Sequence, residues 1–185
     1  ERGHGYAHHR RRRLPGEPRI QKAAGMTEIV SYRPEHQPYF ERFNKAWIEK
    51  YFWLEEIDKY VLENPGEAVI GEGGAILMAT YNGEVAGTVA LKKVNDEVYE
   101  FTKMAVDEQF RRKGIAEALS YASFAKATEL GPNKVILYSN TLLKGAILMY
   151  RKLGFKEVPA EQGIYKRSDI KMEILLNNIP QLQNQ

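Results

Sequence analysis

Hydrophobic and polar positions along this chain follow two periods, and each change of period marks a predicted element. Between residues 36 and 51, aromatic and apolar side chains recur every three or four positions, which is typical of an amphipathic helix. A second, shorter helix is predicted over 54–63, because Asn64-Pro65-Gly66 then ends the pattern. Short apolar runs between turn residues predict the first four strands over 27–32, 75–81, 85–94 and 97–106.

The second half of the chain alternates between the two periods. Helices are predicted over 114–130 and 142–153, each followed by a glycine (Gly131 and Gly154), which is common just after a helix. The remaining predicted strands are 134–139, 155–158 and 164–175. Asn82-Gly83 is a strong hairpin signal, so strands two to four are expected to form an antiparallel meander. The predicted order is β-α-α-β-β-β-α-β-α-β-β, an α+β fold with a mixed sheet.

Charge separates the start of the chain from its body. Residues 1–25 hold seven Lys and Arg against two Glu, a net of +5, whereas the rest holds 20 basic and 22 acidic residues, a net of −2. The first 25 residues also lack hydrophobic periodicity, so they are predicted to be a disordered basic leader, either added for expression or native. The run Arg10–Arg13 allows a nucleic-acid-binding arm, but the body offers no basic face to extend it.

Composition narrows the chemistry of the body, which is predicted to be a single domain over 26–178 followed by a short tail, 179–185. The chain has no cysteine, which excludes a disulfide framework and a thiolate nucleophile. Three of the four histidines lie in the first nine residues, so neither a histidine metal site nor a Ser-His-Asp triad is expected. No run approaches the roughly 20 apolar residues of a membrane span, and no secretory signal is evident. A cytoplasmic protein without membrane or metal partners is therefore expected.

The turn from Arg111 to Ala116 carries the most informative chemistry. It separates an apolar run ending in Met104-Ala105-Val106 from the predicted helix that begins at Gly114. The N-terminus of a helix presents unpaired N–H groups and a partial positive charge, and phosphate-like anions bind there. Gly114, lacking a Cβ, is expected to let the backbone approach such an anion closely. Taken alone, the turn fits a solvated basic surface as well.

Two motifs together resemble the GCN5-related N-acetyltransferase (GNAT) superfamily. The first is Arg111-x-x-Gly114-x-Ala116, and the second runs from Asn140-Thr141 through Ala146 to Tyr150-Arg151-Lys152-Leu153-Gly154-Phe155. The resemblance covers residues 27–175 and is strongest to a bacterial branch of small, mostly uncharacterised acetyltransferases. It implies a central, mostly antiparallel sheet that is splayed at the fourth strand and flanked by helices.

The resemblance also implies acetyl-CoA as the co-substrate. The turn would hold its diphosphate, and the strand ending at Val106 would pair with its pantetheine arm. For Asn140, capping of the next helix is an equal alternative, and for Lys152 the alternative is a solvated helix face. The expected cofactor-binding residues are Met104, Ala105, Val106, Arg111, Arg112, Lys113, Gly114, Ile115, Ala116, Asn140, Ala146 and Lys152.

Acetyl transfer needs a proton donor for the departing thiolate and a neutral amine. The resemblance assigns the donor to Tyr150, since a phenol with a pKa near ~10 is protonated at neutral pH; the alternative is simple packing beside Phe155. Glu100, acting through water, is the expected general base, with Glu55 or Glu56, or no dedicated base, as alternatives. Acceptor contacts are expected from Tyr51, Phe52 and Glu55.

The sequence therefore predicts an acetyl-CoA-dependent N-acetyltransferase. It would move an acetyl group to a primary amine of a small molecule, amino acid or peptide by direct transfer in a ternary complex, and the resemblance is compatible with a homodimer. Two other classes stay open at this point. One is a non-catalytic acyl-CoA-binding or sensing module, and the other is nucleic-acid binding through the basic leader.

Overall fold

The computed structural model describes residues 25–161 and 165–179. The strands are Thr27–Ser31 (β1), Ala75–Tyr81 (β2), Glu84–Lys93 (β3), Val98–Val106 (β4), Lys134–Ser139 (β5), Lys156–Val158 (β6) and Ile170–Leu175 (β7). The α-helices are Gln37–Tyr51 (α1), Glu56–Glu63 (α2), Ile115–Leu130 (α3) and Lys144–Leu153 (α4). The shorter helical turns are Pro34–His36, Gly66–Ile70, Glu108–Phe110 and Leu176–Asn178.

The predicted order of strands and α-helices is confirmed, and every predicted bound except the start of β7 lies within two residues of the observed one. The π-helical turn Gly66–Ile70 was not predicted. Helix α4 begins at Lys144 rather than at 142, because the preceding residues form a turn in which Leu143 N–H donates to Asn140 C=O at 2.9 Å. Strand β7 begins at Ile170 rather than at 164, because Ser168 N–H donates to Tyr165 C=O in another turn, at 3.2 Å.

Both predicted end segments lie almost wholly outside the described residues. Of the basic leader, 1–25, the description includes only Gly25, and of the tail, 179–185, only Ile179.

A seven-stranded sheet in the order β1-β2-β3-β4-β5-β7-β6 forms the centre of the fold. Strands β2, β3 and β4 form the expected antiparallel meander. Strands β4 and β5 are parallel, and they pair only where Val98–Glu100 faces Lys134–Ile136. The two strands separate after that point, which confirms the splay and opens a cleft between the second half of β4 and β5.

A β-bulge interrupts β4 at the mouth of this cleft. Thr88 pairs with Ala105 and Ala90 pairs with Thr102, so Lys103 and Met104 together face the single residue between them on β3. Lys103 takes a φ of 54° there, a left-handed conformation that is uncommon for a residue other than glycine. A bulge bends its strand and redirects side chains, and here it turns Lys103 into the protein interior.

Each face of the sheet has its own hydrophobic core, because successive strand residues point to opposite faces. Leu77 of β2 contributes to the core that includes Leu119 and Phe124 of α3. Its neighbour Met78 contributes to the core that includes Phe40 of α1 and Leu62 of α2. The two layers place α3 on one side of β4 and α1 and α2 on the other, so the cleft has a helix on each side.

Candidate active site

A groove of about 550 Å³ runs from the second half of β4 to the start of α3 and along α4. Ten of the twelve residues expected to bind the cofactor line it: Met104, Ala105, Val106, Arg111, Arg112, Gly114, Ile115, Ala116, Ala146 and Lys152. The other two lie elsewhere. The Lys113 ammonium sits over the Tyr81 ring, 4.9 Å from its centroid, and Asn140 lines a neighbouring cavity.

The start of α3 presents backbone N–H groups to one end of the groove. Gly114 is the N-cap, with φ 74° and ψ 13°, and the N–H groups of the first helical turn have no intrahelical acceptor. A Cβ built on Gly114 meets nothing within 4 Å. The left-handed backbone at this position favours glycine, and the open space beside it is compatible with the expected close approach of an anion. The exposed Arg111 and Arg112 add positive charge to this end of the groove.

A smaller cavity of about 100 Å³ lies among α1, the β4 bulge, β5 and the turn before β7. Trp47, Met104 and Tyr150 line both this cavity and the groove, so the two spaces meet at these residues. Of the predicted acceptor contacts, Phe52 lines the cavity. Tyr51 lines neither space, since it is 46% exposed and its ring packs 4.9 Å from that of Trp47.

Tyr150 stands where the groove and the cavity meet. Its ring makes edge contacts with Phe101 and Phe155 at centroid distances of 6.1 and 5.9 Å. Its hydroxyl has no hydrogen-bond partner among the described residues. Burial raises the pKa of Tyr150 to about 12, so the phenol stays protonated through the neutral range. The side chain thus packs on Phe155 and still keeps a proton to donate.

Glu100 lies one side chain behind the cavity wall. It is 4% exposed, and its carboxylate accepts a hydrogen bond from the Tyr165 hydroxyl at 2.9 Å. Burial raises the pKa of Glu100, and the Tyr165 hydrogen bond and the charge of Lys103 offset only part of that rise. Tyr165 itself lines the cavity, so Glu100 reaches that space through the tyrosine.

Four charged residues, Glu55, Asp58, Lys103 and Arg167, form a cluster beside the cavity that the sequence did not predict. Asp58 is fully buried, and its Oδ1 accepts hydrogen bonds from Lys103 Nζ and an Arg167 nitrogen, both at 2.9 Å. Arg167 also pairs with Glu55 at 2.8 Å. The Glu55 carboxylate, expected to contact the acceptor, is therefore engaged within the protein. We call these four residues the charged cluster.

The charged cluster perturbs the groups within it. Burial alone would raise the pKa of Asp58, but the hydrogen bonds from Arg167 and the charge of Lys103 outweigh it and hold that pKa below its usual range. Burial lowers the pKa of Lys103, and Asp58 partly restores it. The Asp58 carboxylate is thus held in its ionised form, and its hydrogen bond with Lys103 Nζ at 2.9 Å favours the charged ammonium. A lysine in the middle of the apolar strand 97–106 was the one signal in the sequence that could have indicated this site.

Asn140 connects the cavity to the turn before β7. Its side-chain amide donates to Arg167 C=O at 2.7 Å and accepts from Leu142 N–H at 2.9 Å. Leu143, not Asn140, occupies the N-cap position of α4. Asn140, the first residue of the second motif, thus holds in place the segment that carries Tyr165 and Arg167.

The described residues offer neither a cluster of metal ligands nor a membrane-spanning helix. No group of three or more His, Cys, Asp or Glu side chains there could hold a metal ion. No helix in ranges 25–161 and 165–179 is both long enough and apolar enough to cross a bilayer.

Comparison with known families and sequences gives a consistent result. Residues 29–155 match the model of the acetyltransferase (GNAT) family. N-acetyltransferase 8 of Mus musculus is 31% identical over 46% of this chain and 40% of its own length. N-acetylaspartate synthetase of Xenopus tropicalis is 30% identical over 57% of this chain and 36% of its own length. The chain thus spans less than half of these relatives. The uncharacterised N-acetyltransferase YjgM of Escherichia coli K12, a bacterial relative, is 29% identical over 56% of this chain and 64% of its own length.

Solved structures share the fold. A GNAT-family acetyltransferase from Staphylococcus aureus Mu50 superimposes with a TM-score of 0.74 at 19% identity, covering 82% of this chain and 99% of its own. The PaiA N-acetyltransferase of Thermoplasma acidophilum, solved in complex with coenzyme A, gives a TM-score of 0.63 at 16% identity, covering 81% of this chain and 99% of its own.

Proposed function

Because this chain belongs to the acetyltransferase (GNAT) family, whose members use acetyl-CoA, we propose that it moves the acetyl group to a primary amine of a small molecule, amino acid or peptide. The transfer is direct, within a complex that holds both substrates. The meeting of the groove and the cavity at Tyr150 carries this proposal, since it provides two substrate spaces with a proton donor between them.

The groove suits acetyl-CoA in its donor chemistry. The first-turn N–H groups of α3 are suited to the diphosphate, and the backbone of Met104–Val106, turned by the bulge, is suited to the pantetheine amides. When bound, acetyl-CoA supplies an activated acetyl thioester. The chain has no cysteine to carry the acetyl group, which supports direct transfer.

Tyr150 acts as the general acid. As the amine nitrogen bonds to the acetyl carbon and the carbon–sulfur bond breaks, Tyr150 gives its proton to the departing sulfur. Its raised pKa keeps the phenol protonated through the neutral range, and the proton moves to the sulfur as negative charge develops there.

Glu100 acts as the general base through Tyr165. The Tyr165 hydroxyl already donates to Glu100, so its oxygen can take the amine proton while its own proton passes to the carboxylate. Glu100 therefore gains one proton, and Tyr165 remains a neutral phenol. Burial has raised the pKa of this carboxylate towards the range in which a base works well at neutral pH.

A non-catalytic acyl-CoA-binding module is the second candidate, but Tyr150 and the separate polar cavity argue against it. A binder needs the groove alone. Nucleic-acid binding depends on Arg10–Arg13, which lie outside the described residues, so the site lends it no support.

Initial rates of CoA release with an amine panel, together with mass detection of the acetylated amine, test the proposal. We expect CoA and acetyl-amine in equal amounts, and double-reciprocal lines that intersect, as direct transfer requires. Tight acetyl-CoA binding without CoA release for any amine would instead establish the binding module. Parallel lines would mean that the acetyl group first moves to the protein.

The same assay with Glu100→Gln tests the base. We expect a loss of about 10²-fold in kcat/KM at neutral pH, partly recovered at alkaline pH, where the amine loses its proton unaided. An equal loss at every pH would mean that Glu100 only supports the fold.

A further inference from the structure

We infer that the acceptor is an amino acid, whose carboxylate binds Lys103 and Arg167 while its amino group points to the place where the cavity meets the groove. This inference rests on the proposed N-acetyltransferase function and names the substrate class of its acceptor cavity.

The cavity wall is cationic. Among the described residues that line it, Lys103 and Arg167 are the only charged side chains. The neighbouring carboxylates are not part of the lining. Glu55 and Asp58 are bonded to these cations from behind, and Glu100 lies behind Tyr165. An acceptor entering the cavity therefore meets positive groups first.

Lys103 and Arg167 are also close enough together to share one ligand. Both donate to the same oxygen, Asp58 Oδ1, at 2.9 Å. Arg167 further donates to Glu55 and to the other Asp58 oxygen. Neither cation uses all of its N–H groups in this way, and the remaining ones have no acceptor oxygen among the described residues. Two adjacent cations with N–H groups to spare match the two oxygens of a carboxylate.

A bound carboxylate is attracted by the cations of the cavity wall and repelled by the carboxylates behind them, and the distances determine which effect is larger. A ligand carboxylate would lie about 3 Å from the cations and about twice as far from the buried carboxylates, and Coulomb energy falls with distance. Attraction to the wall therefore outweighs repulsion from behind. A second ammonium group on the acceptor, in the same place, would be repelled by both cations at contact.

The spacing within the wall favours an amine close to the carboxylate. Lys103 directly precedes Met104, which lines both the cavity and the groove. The two cations line the same small cavity as Met104 and Tyr150, so a carboxylate bound by the cations lies a short distance from the point of transfer. A volume of about 100 Å³ suits a small molecule better than a protein segment.

Matched acceptors test this directly. Leucine, leucinamide and isoamylamine share one apolar group and differ at the carboxylate, as do phenylalanine, phenylalaninamide and phenethylamine. We expect kcat/KM for each amino acid to exceed that for its amide roughly ten- to hundred-fold, the range of a lost charge-assisted hydrogen bond. The less basic amino group of the amide is deprotonated more readily, so intrinsic reactivity works against this result.

Variants then assign the preference to the two cations. The first variant is Arg167→Gln. The second combines Lys103→Met with Asp58→Asn, so that neither of those two positions keeps an unpaired charge. Each variant should bring the ratio of kcat/KM for the amino acid to kcat/KM for its amide close to one. This ratio distinguishes a loss of carboxylate recognition from a loss of folding, because a general loss of structure lowers the rates with the amino acid and with its amide alike. Lys134→Met is the control, since it removes an ion pair with Glu173 elsewhere on the sheet and should keep both the activity and the ratio.

The outcomes separate this inference from the proposed function. A strong preference for amino acids that both cation variants abolish supports the inference. Equal or faster acetylation of amides and amines overturns it and leaves the N-acetyltransferase function standing. If no acceptor releases CoA, the proposed function fails and the inference fails with it.

Discussion

At the scale of single residues, Gly114 combines two properties that favour glycine. The missing Cβ, which the sequence analysis connects with the close approach of an anion, lies at a position with open space around it. The φ of 74° is a left-handed conformation that also favours glycine. Gly83 in the β2–β3 hairpin has a similar φ of 84° and similar open space, so it offers a matched comparison away from the groove.

Gly114→Val should therefore weaken acetyl-CoA binding through the backbone. We expect a loss of about tenfold in affinity by calorimetry, equivalent to about 1.4 kcal/mol, and a smaller loss for Arg112→Ala, whose side chain is exposed. Gly83→Val should lower the unfolding free energy by about 1–2 kcal/mol, as Gly114→Val should, because both glycines are left-handed. It should leave the affinity for acetyl-CoA unchanged. A larger loss for Arg112→Ala would show that side-chain charge, rather than the backbone, binds the diphosphate.

Other site residues differ in how readily the sequence indicates them. Tyr150 and Gly114 belong to motifs of a few adjacent positions, so a single sequence is enough to find them. Tyr165 and Arg167 belong to no such motif. They join the site only because the turn before β7 folds back onto the cavity, where Arg167 meets Asp58, 109 positions earlier in the chain.

At the scale of elements, the charged cluster joins α2, the β4 bulge and the turn before β7. Lys103 holds its left-handed bulge conformation while its ammonium is bound to Asp58. The same bulge presents Met104 to both substrate spaces. The cluster thus links three elements beside the place where the groove and the cavity meet.

Removing the charge of Asp58 from its ion pair with Lys103 should destabilise the protein. Asp58→Asn leaves the buried Lys103 without its counter-charge, so we expect a loss of about 3–5 kcal/mol in unfolding free energy by urea denaturation. Lys103→Met added to Asp58→Asn should recover part of that loss. Glu173→Gln breaks the more exposed pair with Lys134 and should change stability by less than about 1 kcal/mol. An equal effect from both carboxylates would mean that burial of Asp58 adds nothing.

The pH dependence of stability gives an independent check on Asp58. Its pKa is lowered in the folded protein, so its contribution is fully present above the unfolded value of about 3.9 and is lost as the pH falls through the folded value. Stability of the wild-type protein should therefore decline in acid below about pH 4, and Asp58→Asn should show a shallower decline. Parallel curves would exclude a lowered pKa.

The elements themselves were predictable wherever a local pattern dictates them. The hairpin at Asn82-Gly83 and the glycine after α4 are local signals, and both are present in the structure. The π-helical turn Gly66–Ile70 follows no such pattern. The late start of β7 depends on a turn whose Tyr165 hydroxyl bonds Glu100, 65 positions away, and a local pattern cannot contain that partner.

At the scale of the whole molecule, the active site is a consequence of how the sheet splits. Strands β4 and β5 pair over three residues and then diverge, with the groove and the cavity meeting in the cleft beyond. Trp47 from α1, Met104 from β4 and Tyr150 from α4 come together only in the complete fold. The position of Tyr150, the proposed proton donor, therefore depends on three elements that are far apart in sequence.

The most direct test of this account is to measure acetyl-CoA affinity and amine-dependent CoA release side by side for the wild-type protein and Tyr150→Phe. We predict that the variant binds acetyl-CoA as the wild type does, because the ring contacts with Phe101 and Phe155 remain. Its kcat should fall by about 10²-fold or more, because the proton donor is gone. Unchanged turnover with unchanged affinity would contradict the account.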